Sequence, residues 1–167
     1  MDTRAARGSL MKTSPLGPTL NVVQRTLLLL EVSPFQALSS EQLAALVTKM
    51  TEVRFEAGEA VFTDGGVEGR LYLVVDGEVE LSQNGFILRR VTKGMAFGIF
   101  GLLDIPADET ARAVAPTHAL VLTREDFGDA VAESQAFALG CMRGLARMLQ
   151  TAAQRIEALE KLSLGGP

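Results

Sequence analysis

Between residues 51 and 92 short apolar runs alternate with glycine-containing turns, and this pattern constrains the fold more than any other feature of the chain. Apolar residues recur at every second position, as in Leu71, Leu73 and Val75, whereas a helix would place them three or four apart. The turn signals lie at residues 57–58, 64–66, 76–77, 84–85 and 93–94. Strands this short and this regularly interrupted predict an antiparallel barrel or a two-sheet jelly roll.

Helices are predicted before these strands. Ser39 followed by Gln42 has the spacing of a capping box, in which each residue's side chain bonds the other's backbone N–H. A helix should therefore run from about residue 40 to residue 49. Pro34 should end an earlier apolar helix at or before Ser33, because its ring disfavours helical geometry in the preceding residue.

The C-terminal part of the chain returns to a helical period after a further strand pair at 110–114 and 118–122. A helix should start near Thr123, and a long helix is expected over about 133–162. Its apolar residues are spaced three and four apart, as in a coiled-coil seam, until Ser163 interrupts the repeat. We favour pairing of this seam with a second copy or a helical partner protein over packing on the domain's own core. The seam consists of Met142, Leu145, Leu149, Ala152, Ile156 and Leu159.

These elements predict an α+β chain with one domain and two tails. We expect a flexible tail at 1–20, helices and a β-roll at 21–132, a long helix at 133–162 and a tail at 163–167. The net charge of −4 argues against a basic nucleic-acid-binding surface. No apolar run approaches the ~18 residues of a membrane span, and the N-terminus lacks the apolar core of a secretory signal. The sequence therefore predicts a cytoplasmic protein that does not contact a membrane.

Catalysis and metal binding are not expected. His118 is the single histidine and Cys141 the single cysteine, so neither a multi-histidine metal site nor a thiolate cluster can form within the chain. We interpret His118 as a satisfied surface histidine at a turn and Cys141 as a small packing residue. No nucleophile, base and orienting acid can be assembled around one histidine that lacks a motif.

The order of the elements and several sequence motifs resemble the cyclic-nucleotide-binding domain family. The motifs are Pro34-Phe35-x-x-Leu38-Ser39-x-Glu41-x-Leu43, Phe55-x-Ala57-Gly58-Glu59-x-Val61-Phe62, Leu71-Tyr72-Leu73-Val74-Val75-Asp76-Gly77-Glu78-Val79-Glu80-Leu81, Gly94-x-x-Phe97-Gly98 and Leu120-Val121-Leu122-x-Arg124-Glu125-Asp126-Phe127. The resemblance covers about residues 28–162. It implies an antiparallel β-roll, or jelly roll, with N-terminal helices and a long C-terminal helix.

The resemblance also implies a phosphate-binding cassette, a short helix completed by two side chains that this chain lacks. The family's glutamate after Phe-Gly, which binds the ribose, is replaced by Ile99, and its phosphate-binding arginine falls at Ala107. Arg112 is a possible substitute, but we interpret it as an outward-facing strand residue. No cofactor is expected, and binding of a cyclic nucleotide is disfavoured. The candidate ligand-binding residues are Phe97, Gly98, Ile99, Ala107, Asp108 and Thr110.

Three hypotheses remain open. The first, which we favour, is a non-catalytic regulatory or interaction module that pairs through its long helix as a homodimer or with a helical protein. The second is a sensor of a less anionic ligand that signals through this helix, and the third is a weak cyclic-nucleotide binder. Because about five residues follow Leu162, we expect no helix-turn-helix domain and no direct DNA binding.

Overall fold

The structure, a computed structural model, describes residues 19–63, 69–106 and 108–164. Within these ranges two helices lead into eight strands, a short helix interrupts the strands, and two helices follow them. In chain order the elements are α1 (Val22–Leu30), a 3₁₀ turn (Ser33–Phe35), α2 (Ser40–Lys49), β1 (Thr51–Phe55), β2 (Ala60–Phe62), β3 (Arg70–Asp76), β4 (Glu78–Gln83), β5 (Phe86–Thr92), β6 (Ala96–Phe97), α3 (Ile99–Leu102), β7 (Thr110–Ala113), β8 (Thr117–Thr123), α4 (Arg124–Glu133) and α5 (Gln135–Leu164).

The strands form two four-stranded sheets, with the orders β1-β8-β3-β6 and β2-β7-β4-β5. Every strand pair in them is antiparallel. Most neighbours are not consecutive in the chain, so the strands cross between sheets as in a roll. The predicted α+β class with an antiparallel β-roll is confirmed.

The first sheet is covered on both faces, and this explains why its central strands β3 and β8 are apolar at consecutive positions. One face packs on the helices to form a helical core, and the other face packs on the second sheet to form a roll core. The side chains directed to the helical core are Leu71, Leu73, Leu120 and Leu122. Those directed to the roll core are Tyr72, Val74, Ala119 and Val121.

The N-terminal helices begin at side-chain caps. The predicted capping box of α2 is confirmed: the Gln42 backbone donates to Ser39 Oγ at 3.2 Å, and the Ser39 backbone donates to Gln42 Oε1 at 2.9 Å. A second capping box, between Asn21 and Gln24, starts α1. α1 ends at Leu30, before Pro34 as predicted, and the proline lies inside the 3₁₀ turn.

Two of the predicted glycine turns show why glycine is needed there. Gly77 connects β3 to β4 at φ +96°, and a Cβ at this position would run into the carbonyl oxygen of Pro116. Asn84 and Gly85 both have positive φ, at 51° and 81°, as in the tight turn that suits the twist of a two-residue hairpin. The turn predicted at 64–66 lies outside the described residues.

The first residues of the described chain are held by β1. The Leu20 backbone N–H donates to Glu52 Oε1 at 2.9 Å. Leu20, which the prediction placed in the flexible tail, is therefore held by β1, and residues 1–18 lie outside the described ranges.

The long C-terminal helix differs from the prediction at both ends. Glu133 closes α4 and Ser134 is extended, so α5 starts at Gln135. α5 continues through Ser163 to Leu164, because a serine that interrupts an apolar repeat does not interrupt the backbone hydrogen bonds. With 30 residues α5 is about 45 Å long. Neither α5 nor any other helix of the described ranges is long and apolar enough to cross a membrane.

Candidate functional site

The backbone turns sharply at Gly98, in the middle of the candidate cassette. Gly98 has φ +86° and precedes α3 as its N-cap. A Cβ at Gly98 would collide with the carbonyl oxygen of Arg70 in β3. This close approach requires glycine, and it separates the residue before the turn from the residue after it.

Phe97, before the turn, belongs to the roll core and is 1% exposed. Its ring stacks on Tyr72 with centroids 5.0 Å apart and an interplanar angle of 11°. Phe62 packs 6.0 Å from Phe97, and Phe55 meets Tyr72 edge to face at 6.1 Å. Four aromatic rings therefore pack together between the two sheets.

Ile99, after the turn, packs against the helical core instead. It is half-buried, and Leu102 on the same short helix is fully buried there. Phe100, between them, is 48% exposed. The four-residue α3 is therefore fixed to the helices by its apolar residues, and Ile99 does not share a core with Phe97.

The remaining candidate ligand-binding residues precede or begin β7. Asp108 is exposed, and Thr110 is half-buried opposite Ser82 of β4. Ala107 lies outside the described residues. Arg112, the possible substitute cation, is exposed, and its Nη1 donates to the Gly58 carbonyl at 2.6 Å, as expected for an outward-facing strand residue.

The segment 94–111 has an unfavourable charge for an anionic ligand. It contains Asp104, Asp108 and Glu109 and no lysine or arginine. A cation that does reach it is Arg124, the first residue of α4, but both of its Nη atoms are engaged within the protein. Nη2 donates to the Gly101 carbonyl at 2.7 Å, and Nη1 lies 2.7 Å from Asp104 Oδ1.

The five candidate ligand-binding residues that the structure describes thus do not converge on one cavity surface. Phe97 faces the roll core, Ile99 faces the helical core, and Gly98 is the tight turn between them. Thr110 lies in the second sheet and Asp108 lies on the surface.

The strand predicted from residue 118 is confirmed, but the prediction that His118 is a surface residue at a turn is wrong. His118 lies within β8, opposite Arg54 of β1, and its side chain is only 11% exposed. Its Nε2 is 2.9 Å from Glu52 Oε2. The turn ends one residue earlier than expected, because Thr117 already pairs with Phe55 in the sheet.

Glu52 links His118 to the N-terminal helices. Its Oε1 accepts from Arg25 Nη2 at 2.7 Å, and Arg25 Nη1 also donates to the Met50 carbonyl at 2.8 Å. Burial raises the pKa of the Glu52 carboxyl, but the bond from Leu20 N–H, His118 and Arg25 together outweigh burial and lower this pKa below its usual value. Sequence inspection missed the cluster because its members are 27 and 66 residues apart.

The helix seam remains uncovered over most of its length. Only the start of α5 packs on the domain, where Phe137 and Cys141 are buried in the helical core. Leu145 is half-buried, and residues 146–163 are all exposed. Exposed seam side chains include Met142, Leu149, Ala152, Ile156 and Leu159; Leu149 is 73% and Leu159 66% exposed. The alternative of a seam packed on its own core does not apply beyond Leu145.

The single cysteine is a free, buried thiol, consistent with a packing residue. Burial raises the pKa of Cys141 to about 11. No group of three or more histidine, cysteine, aspartate or glutamate side chains in the described ranges is placed to hold a metal ion.

Comparison with known sequences finds one family model and several short matches. Residues 52–134 match the model described as the cyclic nucleotide-binding domain. A stretch of 91 residues, 54% of this chain, is 31% identical to the cGMP-dependent protein kinase egl-4 of Caenorhabditis elegans. The match covers only 12% of that kinase.

Solved structures match over more of the chain. The N-terminal domain of a transcriptional regulator from Streptomyces coelicolor A3(2) is 28% identical with a TM-score of 0.66, and 72% of this chain aligns with 90% of that one. The catabolite activator protein of Thermus thermophilus is also 28% identical, with a TM-score of 0.61. That alignment covers 77% of this chain and 63% of the activator.

Proposed function

Residues 52–134 form a domain of the cyclic nucleotide-binding family, and on this premise we propose that the protein is a non-catalytic regulatory or interaction module that does not hold cAMP or cGMP in the family's usual way. The family membership confirms the resemblance seen in the sequence. The family fold by itself does not fix a ligand, so the proposal depends on the residues of the cassette.

The observation that carries the proposal is the charge of the segment 94–111. The segment where the resemblance expects a phosphate to bind carries three carboxylates and no lysine or arginine of its own, and Arg124, which reaches it, is already paired with Asp104. A phosphate monoanion brought to this segment would meet repulsion without a compensating partner.

The side chains that replace the family's glutamate and arginine weaken nucleotide binding further. Ile99 cannot accept a hydrogen bond, so a buried ribose hydroxyl would lose its partner at a cost of about 1–3 kcal/mol. The missing arginine at Ala107 removes one member of a charged pair, which costs about 2–5 kcal/mol. Together these losses weaken binding at least about a hundredfold relative to an intact cassette.

Calorimetric titration with cAMP and with cGMP, each to millimolar ligand, tests the proposal. We expect no saturable heat from the unmodified protein. The double variant Ile99→Glu with Ala107→Arg restores both family side chains and should gain a saturable signal, provided that thermal melts show it folded. Saturable heat from the unmodified protein at micromolar ligand would overturn the proposal, and loss of this heat in Arg112→Ala would identify the substitute cation.

Two exposed apolar side chains, Phe100 in α3 and Ile105 just after it, favour a second candidate function, the sensing of a less anionic small molecule. Phe100 and Ile105 are both about half exposed, and the Ile105 N–H donates to the Phe100 carbonyl at 2.8 Å. Native mass spectrometry of the purified protein tests this function. A bound small molecule that is lost in Phe100→Ser supports it, and an unliganded mass counts against it.

We also propose that the protein forms a homodimer in which α5 pairs with the α5 of a second copy. The exposed seam residues follow the a and d positions of a heptad repeat, with Leu149 and Ile156 at a. In this frame Arg155 is at g and Glu160 is at the following e. A parallel, in-register pair places Arg155 beside the Glu160 of the second copy, so the charges favour the parallel orientation.

A further inference from the structure

Asp104 has a left-handed backbone conformation that few residues other than glycine, asparagine and aspartate adopt. It lies just past the end of α3 at φ +62°, and the only other non-glycine residue with positive φ in the described ranges is Asn84. Glycine or asparagine is the common choice at such a position after a helix. Aspartate also tolerates this conformation, and here its carboxylate has a cationic partner.

Arg124 supplies the partner for this charge and also bonds the helix itself. Its Nη1 lies 2.7 Å from Asp104 Oδ1, and its Nη2 donates to the Gly101 carbonyl at 2.7 Å. Gly69 leaves room for the guanidinium, since a Cβ there would lie 3.2 Å from Arg124 Nε. The Arg124 backbone N–H donates to the Gly69 carbonyl at 2.7 Å, which fixes the base of the arginine.

The arginine therefore ties the end of α3 to the start of α4, and α4 is fixed to α5. Phe127 of α4 meets Phe137 of α5 edge to face with ring centroids 5.9 Å apart. A displacement of α3 away from α4 would have to break both Nη contacts of Arg124.

We propose that Arg124 and Asp104 form a latch that holds α3 against α4 in the absence of any ligand. The inference rests on the proposed function: without a nucleotide, α3 is held only by contacts within the protein, and the latch adds to the apolar contacts of Ile99 and Leu102. The pair is exposed at the surface, with Arg124 41% and Asp104 73% accessible, so salt should weaken the latch.

Hydrogen exchange of the unliganded full chain, followed by mass spectrometry, tests the latch. The readout is the exchange of the amides that hold α3 in shape, those of Leu102, Leu103 and Ile105, which bond the carbonyls of Gly98, Ile99 and Phe100. In Asp104→Asn, which tolerates positive φ and lacks the charge, we expect exchange to be about fivefold faster. Asp108→Asn removes the same charge nearby and should leave these amides unchanged.

A high-salt condition and a double variant extend the exchange experiment. Salt at 1 M should speed exchange of α3 in the unmodified protein but not in Asp104→Asn. Adding Arg124→Gln to Asp104→Asn should produce little further change, since the two side chains act as one unit. Equal exchange in Asp104→Asn and in the unmodified protein would overturn the latch. Because all samples are unliganded, this result is independent of the nucleotide titration that decides the proposed function.

Discussion

At the residue scale, Arg25, Glu52 and His118 form a polar cluster that joins α1 to the first sheet of the roll. Glu52 accepts hydrogen bonds from the first described residues and from α1, and it contacts His118 in β8. Each side chain of the cluster is less than one-fifth exposed, so the contacts are only partly screened by water. Removing the charge of Glu52 leaves the Arg25 charge poorly compensated in a mostly buried position.

We predict that Glu52→Gln lowers the free energy of unfolding by about 2 kcal/mol at neutral pH. The folded-state pKa of Glu52 is lowered, so its contribution is present above the unfolded-state value near 4.5 and is lost as pH falls through the folded-state pKa. Urea denaturation from pH 7 to pH 3 measures this. Asp129→Asn, an exposed charge removal in α4, is the control, and equal stability of the two variants would contradict the prediction.

At the element scale, α5 is the helix whose apolar seam stays mostly exposed in a single chain. Its first turns are anchored by Phe137 and Cys141, but residues 146–163 contact nothing that buries them in the described chain. An isolated helical stretch of about this length is only marginally stable in water. Pairing of the seam would stabilise the distal half of α5.

We predict that Leu149→Asp and Ile156→Asp convert a dimer into a monomer while the domain stays folded, because both side chains are exposed in the single chain. Analytical ultracentrifugation measures the association state and circular dichroism the fold. Gln150→Asp, at the b position that faces away from the seam, should still dimerise. An unchanged association state in the two seam variants would exclude this face as the interface.

The orientation of the pair has its own test. Arg155→Glu should weaken a parallel dimer by about twofold to fivefold, and Glu160→Arg added to it should restore the affinity, since the reversed charges again attract. Failure of the second substitution to restore dimer affinity would argue against the parallel register.

At the scale of the whole molecule, the helical core and the roll core share one sheet. β3 and β8 contribute side chains to both cores, so the helices cannot separate from the roll without exposing the apolar face of this sheet. Burying Leu71, Leu73, Leu120 and Leu122 together contributes on the order of 6–12 kcal/mol before the entropy of ordering is counted. We therefore expect the base of α5 to open rarely.

The buried Cys141 thiol reports this opening because it is the only cysteine in the chain. We predict that an aromatic disulfide reagent at pH 8 labels it at least about a hundredfold more slowly than Asn84→Cys in a Cys141→Ala background. The control cysteine lies in the exposed hairpin turn. Equal labelling rates would show that the first turns of α5, around Phe137 and Cys141, do not stay packed on the helical core.

The same thiol should make the free energy of unfolding fall at alkaline pH. Its folded-state pKa is raised to about 11 from an ordinary value of 9.0, so its contribution is complete below pH 9 and is lost as pH rises toward 11. Cys141→Ala should lack this dependence.

The elements that the sequence predicted well are those specified by local chemistry. The capping box of Ser39 and Gln42, the stop before Pro34 and the turn at Asn84 and Gly85 each depend on residues within a few positions of one another. Predictions that needed partners from distant segments fared worse, and His118 is the clearest case. Its position at the start of the predicted strand 118–122 indicated a surface histidine, whereas its burial depends on the pairing of β8 with β1 and on the contact with Glu52.

The sequence by itself determined the family, the α+β class, the isoleucine that follows Phe97-Gly98, the absence of lysine and arginine from residues 94–111 and the heptad spacing of α5. These are properties of residue type and local spacing. Only the tertiary structure decided that Phe97 and Ile99 enter different cores, that Arg124 binds Asp104 and that Glu52 joins Arg25 to His118. These contacts join residues far apart in the chain or depend on the tight approach of Gly98 to β3. No local pattern encodes such geometry.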